Sequence, residues 1–420
     1  AHAQEIPLGT WRLHLSYHAI HSLAVADGKV FAASENGIVV YHGDNTLSTI
    51  NTLTGLTSTG ISSIAYDAPT SQLLVAYEDG GVDILRDNMV FNFDRIRDSN
   101  AITGSRRINH IAIRNGLAYL SADFGIVVFD LVNLELRETW RDLGESGVLL
   151  KINKTIFLGD SIFAATDNGV IGGKLSDNLL DFNQWLRYNS GDLGTSVTSV
   201  ENFASSVVAA IDGNGLFIKV NGHWEKLPQP DLDNLNFSSV NSAGSDLLVA
   251  DGTSLWELTA SGSLDQIQSN YLISPGMAAR DAAGSLWIAD GRNGLVSNVS
   301  GELLPYIPNG PITDQVFRLK YVNDKLYAVP GGFTSNAEPL NRTGFLSSFH
   351  NGSWSSVQTT VNDITDVDYL NGHLFIASFG DGIEVMNAAS EKTERVIAEH
   401  GTHLMSLDPL DSDVRISALE

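Results

Sequence analysis

The sequence predicts an all-β fold of four-stranded β-propeller blades, about nine to ten blade units in all. Three observations lead there. One motif recurs at intervals of roughly 40 to 45 residues, the spacing of propeller blades. A Gly, usually after Asn or an acidic residue, sits at the same place in its clear copies, and helical periodicity is nowhere sustained across the 420 residues.

Each copy reads as a short apolar strand, a turn, a second strand rich in small residues, a turn ending in Gly, and a third strand. The clearest copies lie at residues 30–40, 74–84, 119–129, 162–170 and 374–385, with weaker ones at 208–216, 248–252, 286–291 and 326–329. Asn36-Gly37, Asp79-Gly80, Asn168-Gly169 and Asp381-Gly382 supply the positive φ that tight hairpins need. Alternating apolar residues suit strands packed between neighbouring blades. Ala32, Ala33, Ala164 and Ala165 belong where blades crowd toward the axis. A polar fourth strand with an aromatic follows, as at residues 222–227 with Trp224 and 352–357 with Trp354, and reads as the outer strand.

A single propeller usually holds about four to eight blades. The units therefore predict a first propeller of about seven blades over residues 1–314, and further blades over 315–420 as part of a second propeller or as blades that return to the first. One large ring is the other topology. The boundary falls near Pro311-Ile312-Thr313-Asp314. Residues 9–15 read as an outer strand without a blade of its own, so a strand over 10–18 is expected to help close the ring. Residues 404–408 and 414–418 read as the first two strands of a tenth unit.

Composition narrows the function classes. Forty-nine acidic against 25 basic residues give a formal charge of −24, which repels phosphate backbones and anionic membranes and argues against nucleic-acid partners. The absence of cysteine excludes disulfides, thiolate zinc sites and a cysteine nucleophile. No apolar run is long enough for a spanning helix. Ala1-His2-Ala3-Gln4 fits the A-x-A end of a secretory leader, with a cloning remnant as the alternative, and Leu419-Glu420 fits a vector scar at the end of a truncated piece.

Between residues 10 and 130 the wording becomes more specific than propeller physics requires. Trp11-Arg12-Leu13-His14-Leu15-Ser16-Tyr17-His18, residues 54–66, residues 102–109 and Ala122-Asp123-Phe124-Gly125-Ile126-Val127-Val128 follow in the order of the N-terminal propeller region of the PorZ family, which they resemble. That family belongs to the type IX secretion system of Bacteroidetes. The resemblance implies two propellers followed by a C-terminal secretion domain, with no catalytic activity and no cofactor. It implies a place at the outer-membrane surface, with the sortase PorU, PorV and PorQ as partners and lipopolysaccharide as a further ligand. Two-component-regulator propellers share the blade pattern, so a periplasmic ligand-sensing domain is the alternative.

The most unusual local chemistry is a basic run in an acidic chain: Arg95, Arg97, Arg106, Arg107 and Arg114. Guanidinium forks hold phosphate or carboxylate in bidentate geometry, which makes this segment the candidate site for an anionic headgroup or an acidic partner. Pairing with Asp94, Asp98 and nearby acids is the plainer reading. His14, His18, His21 and His110 are split by strand alternation and read as blade-surface residues, not metal ligands. Residues 212–215 and 380–382 have the look of calcium loops but lack the alternating oxygens and closing glutamate, so they read as hairpins. Trp256 and Trp287 read as packed between blades. No nucleophile elbow, Walker loop or zincin helix is present, so no catalytic residue is assigned. The long loop at residues 331–342 is a candidate binding insertion.

Overall fold

In the computed structural model, residues 11–26, 28–87, 89–397 and 414–419 are described. Among them lie nine antiparallel sheets, each built from four strands consecutive in the chain. The first is Ser22–Ala26, Lys29–Ala33, Ile38–His42 and Leu47–Ile50, and the same meander recurs over 61–93, 108–141, 152–188, 199–226, 239–267, 275–306, 318–358 and 364–397. The helices are four short 3₁₀ turns. This is a multi-blade propeller fold of nine blade units.

Each repeated feature has a visible cause. The second strand of a blade is buried on both faces, so it reads as a continuous apolar run with small residues. Ala32, Ala33, Ala164 and Ala165 are all fully buried there. Apolar side chains from adjacent blades interleave, as where Leu74, Ala76 and Ile84 of the second blade meet Leu120, Val127 and Phe129 of the third. Each such Leu, Ile or Phe contributes about 1.5–3 kcal/mol by burial. The glycine of the hairpin has a second role besides its turn. Gly169, at φ +87°, lies so close to the outer strand that a Cβ would stand 2.3 Å from the Tyr188 carbonyl oxygen. Any side chain there would push the fourth strand off the blade.

The chain divides into two compact units, residues 18–308 and residues 1–17 with 309–420. The first contains seven blades. Their innermost strands are Ser22–Ala26, Ile61–Asp67, Ile108–Arg114, Ile152–Leu158, Ser199–Phe203, Ser239–Ala243 and Pro275–Arg280. Each touches the next in order, and Pro275–Arg280 touches Ser22–Ala26, which closes the ring. No strand is exchanged between the first and last blades, since both sheets are complete in themselves. The seam is held by the Ile20 amide donating to the Asp290 carbonyl at 3.2 Å and the Gly294 amide donating to the His18 carbonyl at 2.9 Å. Beside these bonds sits an aromatic cluster. Tyr41 of the first blade lies 4.6 Å from Trp287 and 5.3 Å from Tyr306 of the seventh.

The second unit contains two blades around Tyr327, Val329, Leu346, Ile364, Val367 and Ile376. An expected outer strand over residues 10–18 is absent among its described residues: Trp11–Tyr17 form no strand. Instead the segment is pinned to its own unit, with the Ser16 hydroxyl donating to the Ile312 carbonyl and the Trp354 indole donating to His14. The short strand Val414–Arg415 pairs with the end of His373–Gly380 in the ninth blade. It was expected as part of a tenth unit, whose first strand at 404–408 lies outside the described residues, as does Ala1-His2-Ala3-Gln4. No helix among the described residues is long and apolar enough to cross a membrane.

Candidate functional site

Inner strands of a propeller show one edge to the axis, and here they enclose a cavity of about 380 Å³ lined from all seven blades of the ring. Its wall is polar because the first or second residue of six of these strands is Ser or Asn: Ser22, Ser62, Asn109, Asn153, Ser199 and Ser239. A second recess of about 490 Å³ opens among Arg114, Asn115, Phe157 and Asn202 and shares His110 and Lys154 with the first. These two residues mark the middle of the shaft.

Lys154 is buried, and its ammonium group joins three blades. It bonds Glu201 Oε2 at 2.8 Å, the Val240 carbonyl at 2.6 Å and Asn241 Oδ1 at 3.0 Å. Burial, and then the positive charge of Lys154, hold the His110 imidazole down at about 3. His110 is deep in the molecule but keeps part of its surface on the shaft. Burial also lowers His18 and His21. A histidine that stays neutral in the fold and charges near 6.5 when unfolded makes the unfolded state the better proton binder below that pH. Stability is therefore complete above about pH 6.5 and falls as the pH drops from there toward about 3. Urea midpoints at pH 7.5 and 4.5 test this: the wild type loses stability at the lower pH, and His110→Gln flattens the loss. Equal slopes in the two proteins would remove His110 as the cause.

The arginine segment is divided by the fold. Arg95, Arg97, Arg106 and Arg107 precede the inner strand Ile108–Arg114, and Arg114 ends it, about 20 Å further along. Arg97 forms ion pairs with Asp94, with Asp79 at 3.7 Å and with Asp98 at 3.5 Å, and Arg107 pairs with Glu78. Arg106 donates to the carbonyls of Ser99 and Ile102 at 2.9 and 3.2 Å, leaving its Nε without a partner. Arg95 is exposed. Arg114 donates to the Gly159 carbonyl at 2.7 Å and lies over the Phe157 ring.

Other residues singled out by sequence have local tasks. Asp212 accepts the Phe237 amide of the next blade at 2.8 Å, and Asp381 accepts the Asn362 amide at 2.7 Å. The four histidines do not converge: His14 sits against Phe349 and Trp354, His18 on the Arg292 carbonyl, His21 on the Ile61 carbonyl, and His110 in the shaft. Trp140, Trp185 and Trp287 are buried between blades, while Trp256 is half-buried. The loop at 331–342 is tied down, with Phe333 stacked on Phe379 at 4.4 Å and Arg342 donating to the Pro330 and Gly331 carbonyls. Sequence reasoning missed Lys154, Glu201, Ser239 and Asn241. The polar start of six of the seven inner strands, visible once the repeats are aligned, is the signal that points to them.

Residues 30–186, from the second strand of the first blade into the fourth blade, match the family model described as the N-terminal β-propeller domain of PorZ of the type IX secretion system. Over this segment, somewhat over a third of the chain, the sequence is similar to the PorZ N-terminal propeller family. The PorZ structure from Porphyromonas gingivalis, an essential bacterial surface component of the type IX secretion system, superimposes with a TM-score of 0.80 at 19% identity, covering 97% of this chain and 55% of that one. The chain thus spans about half the length of the solved PorZ. The extracellular domain of a protein described as a hybrid two-component system of B. thetaiotaomicron follows with a TM-score of 0.54 at 13% identity, covering 93% of this chain and 55% of that one. Streptogramin B lyase gives 0.52 at 10% identity over 68% of this chain and 94% of its own. These likenesses to PorZ and the others are likenesses of fold. Comparison with curated protein sequences gives no match.

Proposed function

We propose that the chain is the propeller portion of a non-catalytic scaffold in the type IX secretion attachment complex. The scaffold is exported and held at the outer-membrane surface. There it docks the sortase PorU with PorV and PorQ, and it holds lipopolysaccharide. The observation that carries this reading is the PorZ match over residues 30–186, reinforced by the fold likeness over 97% of the chain. We further propose a division near residues 311–314 into a first propeller and the blades that follow, close to the unit boundary after Pro308. Arg95, Arg97, Arg106, Arg107 and Arg114 are the proposed contacts for an anionic headgroup or an acidic partner. The Arg107 ion pair with Glu78 is on the surface and exchanges readily for a better-placed anion, while Arg97 is half-buried against Asp94.

The test is a pull-down of this chain from solubilised outer membranes of its source organism, with bound proteins and lipids identified by mass spectrometry. Recovery of a sortase or of lipopolysaccharide is expected, and Arg106→Ala/Arg107→Ala is expected to lower it several-fold; Arg107→Ala alone, which keeps the Arg106 bonds to Ser99 and Ile102, separates lost binding from lost stability. Recovery of neither would sink the scaffold reading. The second reading, a periplasmic ligand-sensing domain, is favoured by the fold likeness to the two-component extracellular domain. It predicts recovery of a small glycan or an inner-membrane kinase instead.

A further inference from the structure

Polar groups on the wall of the shaft fall into two sets. Most serve the fold: Asn109 Nδ2 donates to the Ile152 carbonyl at 2.9 Å, Asn153 Nδ2 to the Val197 carbonyl at 2.7 Å, and Ser199 Oγ to the Val240 carbonyl at 3.3 Å. Three others, His110 Nδ1, Ser239 Oγ and Asn241 Nδ2, are buried without a hydrogen-bond partner. A buried donor or acceptor left unmade is costly, so the fold keeps these groups at a disadvantage that a bound molecule would remove. All three residues line the same cavity of about 380 Å³. Lys154 connects them, since it bonds Asn241 and its charge bears on His110.

Charge decides what could enter. An ammonium group has three N–H donors. Those of Lys154 are met by Glu201, the Val240 carbonyl and Asn241 Oδ1, and its charge is matched by Glu201. His110 adds no positive charge above about pH 3. A phosphate or carboxylate entering the cavity would therefore be buried without a counter-charge, at a prohibitive cost. The unpartnered groups are an amide donor, a hydroxyl that donates and accepts, and an imidazole nitrogen; each is covered, and a ligand in the cavity reaches it once the side chain turns toward it. Alcohol groups match all three, because each donates and accepts at once. The volume lies at the lower end of ligand pockets, which run roughly from 300 to 1,000 Å³.

We propose that the central cavity binds a neutral polyhydroxylated molecule of monosaccharide size through His110, Ser239 and Asn241. The site stands independently of the scaffold reading, because it rests only on the seven-bladed ring and not on any partner.

The experiment is isothermal titration of the purified chain with galactose, glucose, N-acetylglucosamine, glucuronate and inorganic phosphate, paired with the thermal midpoint of each variant. At least one neutral sugar is expected to bind, with glucuronate and phosphate at least tenfold weaker. Ser239→Ala removes a hydroxyl that no other group in the protein uses. It should leave the midpoint in place and weaken the sugar about tenfold, the equivalent of one lost hydrogen bond. Ser239→Leu, which fills the cavity, should abolish binding. The proposal is overturned if no neutral sugar binds at millimolar concentration, if glucuronate or phosphate binds best, or if both Ser239 variants bind the sugar as the wild type does.

Discussion

Lys154→Met is expected to destabilise the protein by about 3–5 kcal/mol, the cost of leaving a buried carboxylate without its partner. Lys154 and Glu201 are 8% and 7% exposed, so solvent screens neither. Methionine retains most of the side-chain volume, so the loss reports charge and hydrogen bonding rather than a cavity. The double variant Lys154→Met/Glu201→Leu should recover much of the loss, because an apolar pair of similar size often replaces a buried ion pair without penalty. Urea unfolding of the two single variants and the double gives the coupling directly. A Lys154→Met cost below about 1 kcal/mol would mean that water reaches Glu201 and that the shaft is wetter than its packing indicates.

Trp287→Ala should cost about 3–5 kcal/mol, the usual range for deleting a large buried aromatic. Trp287 is 1% exposed and packs across the seam of the ring against Tyr41 and within its own blade against Tyr306, with its indole donating to Asp281 at 2.9 Å. Trp287→Phe keeps the aromatic contact and loses the indole bond, so its cost should fall between wild type and alanine. Denaturant unfolding supplies the number, and limited proteolysis near residues 18–22 supplies the location. If alanine costs little and cleavage there stays slow, the backbone bonds of the seam hold the ring without the aromatic cluster.

The blade architecture was legible because propellers repeat. The small-residue second strand at Ala32-Ala33 and Ala164-Ala165, and the hairpin glycine at Gly169, are dictated by crowding and by φ, and both are written once per blade. The end segments were less legible. Trp11–Tyr17 have a strand-like apolar pattern, yet their hydrogen bonds go to residues nearly 300 positions away, as between Ser16 and Ile312, which no local pattern encodes. The same limit hid the shaft. Lys154 reads as an isolated lysine in a strand, and only the meeting of three blades turns it into the centre of a bonded group with Glu201, Val240 and Asn241. The arginine segment was visible as composition, but the length of the strand Ile108–Arg114, which sets Arg114 apart from the rest, is a matter of geometry.

The lack of strand exchange between the first and seventh blades bears on how the protein acquires its structure. Every sheet of the seven-bladed ring is finished by residues that follow one another, so a blade can form as soon as its own segment is free to fold and need not wait for the far end of the ring. The seam is different, since His18 meets Arg292 across 274 residues. Joining such distant points costs only slowly more entropy as the loop lengthens, and seven preformed sheets shorten the effective loop further. This topology favours local meanders first and a single long-range closure of the ring after them. Until that closure, the free faces of the first and seventh blades are the surfaces on which the folding chain is open to misassociation.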